Sequence, residues 1–370
     1  TGTKAKSLDV VLENTRKYLS EAATSGATQS GNVATLNRVI LPVIRRVMPT
    51  VIANELIGVQ PMTGPVGQIH TLRVRYADTT VNGATNIAAG DEALSPFKIA
   101  ASYSGNDSDP AKGSATATLE GAAGKKLNVQ ILKQVVEAKS RKLSARWTFE
   151  AAQDAQAQQG IDIEAEIMAA LAQEITAEID QEILTSLRSL AGSAAGAFDQ
   201  SAVSGTATFV GDEHAALAVL INQQANLIAQ RTRRGAGNYA VVSSEALTIL
   251  QSATTSAFAR STEGVFEAPT NTKFVGTLNN SMRVYVDGYA ATGTDVLVGY
   301  KGSSEADAPA FYCPYIPLMS SGVVLDPSTF EPVVSFLTRY GYVELSNTAS
   351  SLGNAADYLA RISISNVSFK

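Results

Sequence analysis

The sequence has few of the residues on which most enzyme and metal chemistry depends. Its 370 residues contain one cysteine and two histidines. A single cysteine, Cys313, excludes an internal disulfide framework and any metal site with several cysteine ligands. The two histidines, His70 and His214, leave little for histidine-based catalysis or metal binding. We therefore predict a protein that is not an enzyme, with no catalytic residues, no cofactor site and no metal site.

Charged side chains are also scarce, at 17% of the sequence, against about a quarter in an ordinary soluble domain. The net charge of −5 argues against a dedicated nucleic-acid binder, because affinity for phosphates needs clustered lysines and arginines. No run of about 18 apolar residues occurs, so no segment is predicted to cross a membrane. Small residues fill the gap, which favours surfaces that pack closely against others.

Two basic, glycine-rich segments resemble phosphate loops only in part. Residues 121–126 lack the first glycine of the nucleotide-binding motif, and Lys126 stands where a serine or threonine should hold magnesium. Residues 231–237 are predicted to end a helix, whereas a phosphate site needs glycines at a helix start. We interpret them as a helix end with Gly235 as its stop. Cys313 is interpreted as a small buried thiol, and both histidines as ordinary surface or interface residues.

The strongest local pattern predicts a helix over residues 162–190, which we call the spine helix. Large apolar residues recur there every four positions: Ile163, Ile167, Leu171, Ile175, Ile179, Ile183 and Leu187. Each step of four turns about 400°, so the stripe drifts around a helix of about 43 Å and must meet more than one packing surface. Asp162 is the predicted N-cap, and Gly192 follows the end.

Strict alternation of apolar and polar residues predicts strands at 69–76 and 142–149. The 65 or so residues between them are too many for a structureless loop in a compact domain, so we interpret the whole segment as a long projecting hairpin. Residues 1–20 are predicted to form an amphipathic helical arm, followed by a flexible link. The second half is predicted to contain helices at 212–231 and 244–250, and strands at 239–243, 282–286, 296–300, 333–345 and 361–369.

One constellation of charges suggests contacts between subunits. The two predicted hairpin strands carry Arg73, Arg75, Lys142 and Arg146, and the polar side of the spine helix carries Glu174, Glu178 and Glu182. Opposite charges on separate elements can orient neighbouring copies, even if each exposed pair contributes only about 0–1 kcal/mol. The alternative is that each charged face is simply solvated.

Several stretches, in chain order over about residues 36–345, resemble the major capsid proteins of T-even-type tailed phages. They are residues 56–62 (LIGVQPM), 64–68 (GPVGQ), 134–143 (QVVEAKSRKL), 152–154 (AQD), 234–239 (RGAGNY), 298–302 (VGYKG) and 338–341 (TRYG). No single stretch is specific, but the ordered set is. Two departures stand out: the segment 95–126 is short where such relatives carry a larger insertion, and we expect no lysine–asparagine cross-link from Lys98, Lys112, Lys125 or Lys126.

The resemblance implies an α+β fold of the Hong Kong 97 type. Its parts map onto an N-terminal arm (1–38), the start of a peripheral domain (39–66), an extended loop (67–149), the peripheral domain with the spine helix (150–200), an axial domain (201–329) and closing strands of the peripheral domain (330–370).

The implied function is a structural capsid protein that assembles as hexameric capsomers into an icosahedral or prolate head around double-stranded DNA, without sequence-specific binding. The implied partners are further copies of the chain, vertex, portal and decoration proteins, and a scaffold and maturation protease in the precursor. Assembly is expected in the host cytoplasm, after which a leader before Thr1 is removed. The alternatives are an encapsulin-type cellular nanocompartment, which shares the fold, and an α/β hydrolase, whose nucleophile and loop signatures are missing.

Overall fold

The computed structural model describes residues 10, 12–14, 16, 53–80, 87–91, 93, 103–105, 112–121, 123–159, 162–203, 210–232, 234–253, 258–260, 273–279, 281–291, 293–345 and 355–367. Of the predicted arm helix, residues 10, 12–14 and 16 are described, and they are helical. The rest of the arm and the predicted link lie outside the described residues.

The helices alternate with short and long strands along the chain. The helices are α1 (Ala53–Leu56), α2 (Thr116–Leu119), α3 (Phe149–Gln159), α4 (Ile163–Leu190), α5 (Gln200–Val203), α6 (Val210–Thr232) and α7 (Ser244–Ser252), with a 3₁₀ turn at Ala355–Tyr358. The strands are β1 (Gly58–Val59), β2 (Val66–Tyr76), β3 (Leu127–Glu137), β4 (Lys139–Arg146), β5 (Gly196–Asp199), β6 (Tyr239–Ser243), β7 (Phe258–Arg260), β8 (Lys273–Leu278), β9 (Met282–Asp287), β10 (Val296–Gly299), β11 (Ala310–Ser320), β12 (Val324–Leu325), β13 (Pro332–Glu344) and β14 (Leu359–Ser365).

The described strands form three sheets. A five-stranded sheet has the order β1-β11-β13-β12, with β4 on the other edge of β13, and a seven-stranded sheet has the order β5-β14-β10-β6-β9-β8-β7. Strands β2 and β3 pair with each other as a separate antiparallel ribbon. Helices and sheets are thus combined in one chain, which confirms the predicted α+β class. None of the described helices has the length and apolarity to cross a membrane.

The spine helix, α4, packs between the two large sheets, as its drifting apolar stripe predicts. Its buried residues share one core with Tyr239 and Leu297 of the seven-stranded sheet and with Phe336 and Tyr340 of the five-stranded sheet. The Asp162 side chain accepts a hydrogen bond from the backbone N–H of Glu164 at 3.1 Å, which confirms the predicted N-cap. The helix therefore connects the two halves of the chain.

The opposite face of the seven-stranded sheet is covered by α6 and α7. These helices and the sheet share a second core of buried, mostly aliphatic residues. The predicted strand 239–243 is confirmed, and the helix after it begins at the predicted capping serine, Ser244, itself. Ser243, not Ser244, is the N-cap, and its hydroxyl accepts from the N–H of Ala246 at 3.3 Å.

The predicted pairing of the long hairpin is wrong. Residues 69–76 lie in β2, but its partner is β3, and β4 pairs instead with β13 in the five-stranded sheet. Furthermore, β14, which was expected to close the peripheral domain, pairs with β10 and β5 in the seven-stranded sheet. Strand β11, expected in the axial domain, pairs with β13. Which strands pair depends on contacts between segments that are far apart in the sequence. Hydrophobic periodicity alone does not reveal those contacts.

Candidate intersubunit surfaces

The β2–β3 ribbon carries several large apolar side chains that are exposed on one of its faces. Directly paired residues of antiparallel strands project to the same face, and Leu72 pairs with Ile131 and Val74 with Val129. The exposed large apolar residues of this face are Val66, Leu72, Leu127, Val129, Ile131 and Val135, which we call the hairpin face. Leu72 and Ile131 are about two-thirds exposed, at 66% and 65%. Contiguous exposed apolar patches of this kind mark interaction sites.

The opposite face of the ribbon holds it to the body at its root. Val136 is buried there in a small core with Met62, Phe311 and Cys313. Gly341 of β13 permits the close approach, because a Cβ at that position would lie 2.5 Å from a methyl group of Val136. The root is therefore fixed in direction by packing against the five-stranded sheet.

The far end of the ribbon is closed by its own small core. The rings of Tyr76 and Tyr103 are 4.5 Å apart and pack with Ile87 and Ala93. The Tyr103 hydroxyl donates to the carbonyl of Lys126 and accepts from the N–H of Asp78 at 3.3 Å. The ribbon is thus packed at both ends, and the six side chains of the hairpin face remain exposed.

The predicted attraction between basic strands and the acidic spine helix does occur, but it occurs within one chain. Arg141 of β4, which the charge pattern did not single out, donates to Glu178 at 2.6 Å and to Glu182 at 2.5 Å. Its Nε donates to the Tyr340 hydroxyl at 2.5 Å, and that hydroxyl donates to Glu182. Arg141 thereby connects β4, β13 and the spine helix.

The ionisation of this network follows from its hydrogen bonds. Burial favours the neutral form of Glu182, but hydrogen bonds from Arg141 and Tyr340 outweigh burial and lower the pKa of Glu182. Burial likewise opposes the charge on Arg141, and the same contacts with Glu182 and Tyr340 raise the pKa of its guanidinium instead. Both groups are therefore charged at neutral pH, as an attractive pair requires.

The remaining predicted contact residues are spread over several surfaces. Lys142 and Arg146 alternate with the inward-facing residues of β4 and are exposed, and Arg146 lies 3.8 Å from Glu331. Arg75 is half-buried and Arg73 is buried, at 3% exposed, on the face of the ribbon opposite the hairpin face. Glu174 is exposed on the spine helix. The structure does not bring these seven residues together in one place.

A second exposed apolar group lies at one end of the five-stranded sheet. It consists of Phe149, Val323, Val324, Leu325 and Phe330, which we call the sheet-end patch. The rings of Phe149 and Phe330 are 6.0 Å apart, and Phe330 is 70% exposed. Phe330 has φ of +58°, which is unusual for a residue with a side chain. Its N–H donates to the carbonyl of Asp326 at 2.8 Å, so a hydrogen-bonded turn holds the ring outward.

Cys313, His214 and Arg234, which the sequence offered as candidates for chemistry, have structural roles. Cys313 is buried, which confirms the prediction, and burial raises the pKa of its thiol to about 12. His214 is buried, at 1% exposed, so its assignment to the surface is wrong, and Nδ1 contacts the Ser252 hydroxyl. Arg234 is paired with Asp307 at 2.5 Å. Within the described residues, no group of three or more His, Cys, Asp or Glu side chains is arranged to hold a metal ion.

Sequence reasoning missed the strand that supplies most of the hairpin face. The signal was present: Leu127, Val129 and Ile131 alternate with the polar residues Asn128 and Gln130. This alternation predicts a strand with one apolar face. The predicted contact residues are all charged, and a charge pattern gives no information about which apolar side chains stay exposed.

The comparisons with known proteins agree on one family. Residues 33–364 match the family described as "Major capsid protein Gp23". The chain is 31% identical to the major capsid protein of Vibrio phage KVP40, over 95% of this chain and 85% of the relative. It is also 31% identical to the major capsid protein of Enterobacteria phage T4, over 84% of this chain and 76% of the relative. That second alignment has 399 positions, more than the whole of this chain, so the relative carries additional residues within the aligned region.

Solved phage structures are similar over most of the chain at low identity. The structure titled "Mycobacterium phage Cain" has a TM-score of 0.49 and 10% identity, covering 86% of this chain and 91% of its own. The structure titled "The capsid of Myoviridae Phage XM1" has a TM-score of 0.46 and 12% identity, covering 85% and 91%.

Proposed function

Because this chain belongs to the Gp23 family of major capsid proteins, we propose that its hairpin face is a principal contact between neighbouring subunits of the phage head. The role of the protein is structural: it builds the capsid shell of the virion, as an oligomer of many copies. We further propose that it has no catalytic activity of its own. A cellular nanocompartment is not favoured, because the curated relatives are named as major capsid proteins of phages.

The observation that carries the proposal is the exposure of six large apolar side chains on one face of a two-stranded ribbon. An isolated two-stranded ribbon is marginally stable in water, and leaving this face solvated forgoes about 25 cal/mol for each Å² of apolar surface that could be buried. A neighbouring copy supplies the missing layer. The sequence therefore encodes an apolar surface that is buried only when copies of the chain assemble.

Charged residues contribute orientation rather than strength in this proposal. Glu178 and Glu182 already pair with Arg141 of the same chain. Among the charged residues, we therefore assign the contacts with a neighbouring subunit chiefly to Arg75, Lys142, Arg146 and Glu174. Exposed pairs contribute only about 0–1 kcal/mol each, but like charges brought together in a wrong orientation are penalised. The Arg73 side chain is buried and is expected to stiffen the ribbon.

The finer parts of the function are proposals as well. We propose that capsomers of this chain meet vertex, portal and decoration proteins, with a scaffold and a maturation protease acting on the precursor. The shell encloses double-stranded DNA without recognising its sequence. The predicted division into arm, extended loop, peripheral and axial parts is retained, with β4 and β11 reassigned to the five-stranded sheet and β14 to the seven-stranded sheet.

A pair of charge substitutions tests the role of the hairpin face. Ile131→Asp places a carboxylate in the proposed contact, where burying it costs several kcal/mol, so we expect the chain to fold but not to form shells. Val219→Asp is the matched control, because Val219 of α6 is equally exposed, at 66%, and lies outside the hairpin face. Circular dichroism checks folding, and sedimentation with electron microscopy measures assembly. Normal shells from Ile131→Asp would contradict the proposal.

A further inference from the structure

We propose that residues 55–59 form a strap that sets the angle between the two large sheets, with the ion pair between Glu55 and Arg283 as its releasable end. This inference goes beyond the contact between copies, because it concerns the shape of a single copy. The two ends of the strap lie on different sheets. The structure holds one end firmly and the other end weakly.

The first end of the strap is bound to the seven-stranded sheet. Glu55 lies in the short helix α1, and its carboxylate accepts hydrogen bonds from the Arg283 guanidinium at 3.0 Å and from the Tyr285 hydroxyl at 3.1 Å. Both donors belong to β9. Burial and the nearby Glu55 raise the pKa of Tyr285 to about 12, so its hydroxyl keeps the proton that it donates. Side chains make this contact between the strap and the sheet.

The second end of the strap belongs to the five-stranded sheet. Gly58 and Val59 form β1, which pairs in parallel with β11. The backbone N–H of Val59 also donates to the Glu305 carboxylate at 3.0 Å. Glu305 lies in the segment 300–309, which crosses from β10 of one sheet to β11 of the other. A Cβ on Gly58 would lie 2.3 Å from the Glu305 carbonyl oxygen, so the strap and this crossing segment touch backbone to backbone.

Burial makes the two ends unequal. Leu56 and Ile57, in the middle of the strap, are completely buried in the core that the spine helix shares with both sheets. They cannot leave this core without exposing apolar surface to water. The Arg283 side chain is 62% exposed and that of Glu55 is 38% exposed, and ion pairs this exposed are weak and screened by salt. The Glu55 end therefore detaches first.

The spine helix has its own polar contacts with each sheet. Gln181 and Arg188 donate to Asp287 of β9 at 2.8 and 3.0 Å, and Arg141 of β4 pairs with the acidic side of the helix. Each contact joins the helix to one sheet, so it leaves the sheets able to change their angle by small sliding movements at the helix. The strap joins the two sheets directly and opposes that movement.

A releasable strap suits a closed shell. Copies at different positions of a curved shell meet their neighbours at different angles. A body with a fixed angle would have to absorb these differences by deforming its packed cores, which resist deformation. A strap with one weak end permits a change of angle between the sheets while the two cores stay intact.

Distance measurements between two spin labels on the unassembled chain test the strap. Val219→Cys places one label on α6, over the seven-stranded sheet, and Ser144→Cys places the other on β4; both positions are exposed, and the native Cys313 is buried. Glu55→Gln removes the charge of the weak end, so we expect it to broaden the distribution of distances about two-fold. Asp295→Asn is the matched control, because Asp295 pairs with Arg361 within the seven-stranded sheet, and it is expected to leave the distribution unchanged.

Two further measurements separate the ion pair from a general loss of stability. The charge reversal Glu55→Arg with Arg283→Glu is expected to restore the narrow distribution. Salt at about 1 M is expected to broaden the distribution of the otherwise unchanged labelled chain, since it screens exposed charges.

The inference is overturned if Glu55→Gln leaves the distribution unchanged, or if Asp295→Asn broadens it equally. If Glu55→Gln does not fold by circular dichroism, the salt series decides, and a distribution that salt does not alter overturns the inference. These measurements need no shell, so they stand apart from the Ile131→Asp test, whose failure would contradict only the proposed role of the hairpin face.

Discussion

The seven-stranded sheet and the β2–β3 ribbon both carry many apolar side chains, but the two regions differ in how far these side chains are buried. The sheet is covered on one face by α6 and α7 and on the other by the spine helix. The ribbon has packed ends and one open apolar face. The first region completes its core within one chain, whereas the second is proposed to complete it against a neighbouring copy. A shell protein needs both: a body that folds alone and a surface that becomes stable only on assembly.

Truncation of a core aromatic should give the largest contrast between the two regions. Phe198 of β5 is completely buried in the second core, so Phe198→Ala is expected to lower the free energy of unfolding by about 3–5 kcal/mol. Ile131→Ala in the open face of the ribbon is expected to change it by less than about 0.5 kcal/mol. Urea unfolding of the unassembled chain measures both. Similar losses for the two variants would mean that the ribbon is already covered.

A methyl group at the root of the ribbon should give an intermediate effect. The Cβ of Gly341→Ala would lie 2.5 Å from Val136 and 3.2 Å from the Glu137 carbonyl. The strands must separate, so we expect a loss of about 1–3 kcal/mol and faster hydrogen exchange in β2 and β3. Gly64→Ala is the matched control, because its Cβ would meet only the Val66 carbonyl at 3.9 Å. Unchanged exchange in both variants would show that the root does not hold the ribbon.

The two histidines offer the smallest and most selective contrast, because one lies in each region. Burial lowers the pKa of His214, although Glu213 opposes the shift. The unfolded chain then binds a proton more readily than the folded one, so stability is complete above the ordinary pKa of about 6.5 and decreases as the pH falls below it. His214→Gln is expected to reduce this acid sensitivity. His70→Gln, in the exposed ribbon, is expected to leave it unchanged in pH-dependent unfolding curves.

Part of the fold around the candidate site could be predicted from the sequence, because the patterns that indicate it lie between neighbouring residues. The spine helix was predicted from its four-residue repeat and its Asp162 cap, since both depend on residues about one turn apart or less. Opposite charges on β4 and the spine helix do pair, but within one chain and through Arg141 rather than Lys142 or Arg146, and the predicted contacts between subunits stay a prediction. The alternation of β4 places Arg141 on the inward face with Leu143 and Ala145, but that this face meets the spine helix is a long-range property.

The sequence by itself determined the class of protein, the helices α4, α6 and α7 and about half of the described strands, because composition, hydrophobic period and an ordered set of family stretches are carried by neighbouring residues. It also contained the alternating pattern of Leu127, Val129 and Ile131. Only the tertiary structure decided that β2 pairs with β3, that β14 belongs to the seven-stranded sheet, and that six large apolar side chains of the ribbon stay exposed among the described residues. These properties depend on which distant segments meet, and the stabilisation that selects them is shared over the whole core rather than encoded at one position.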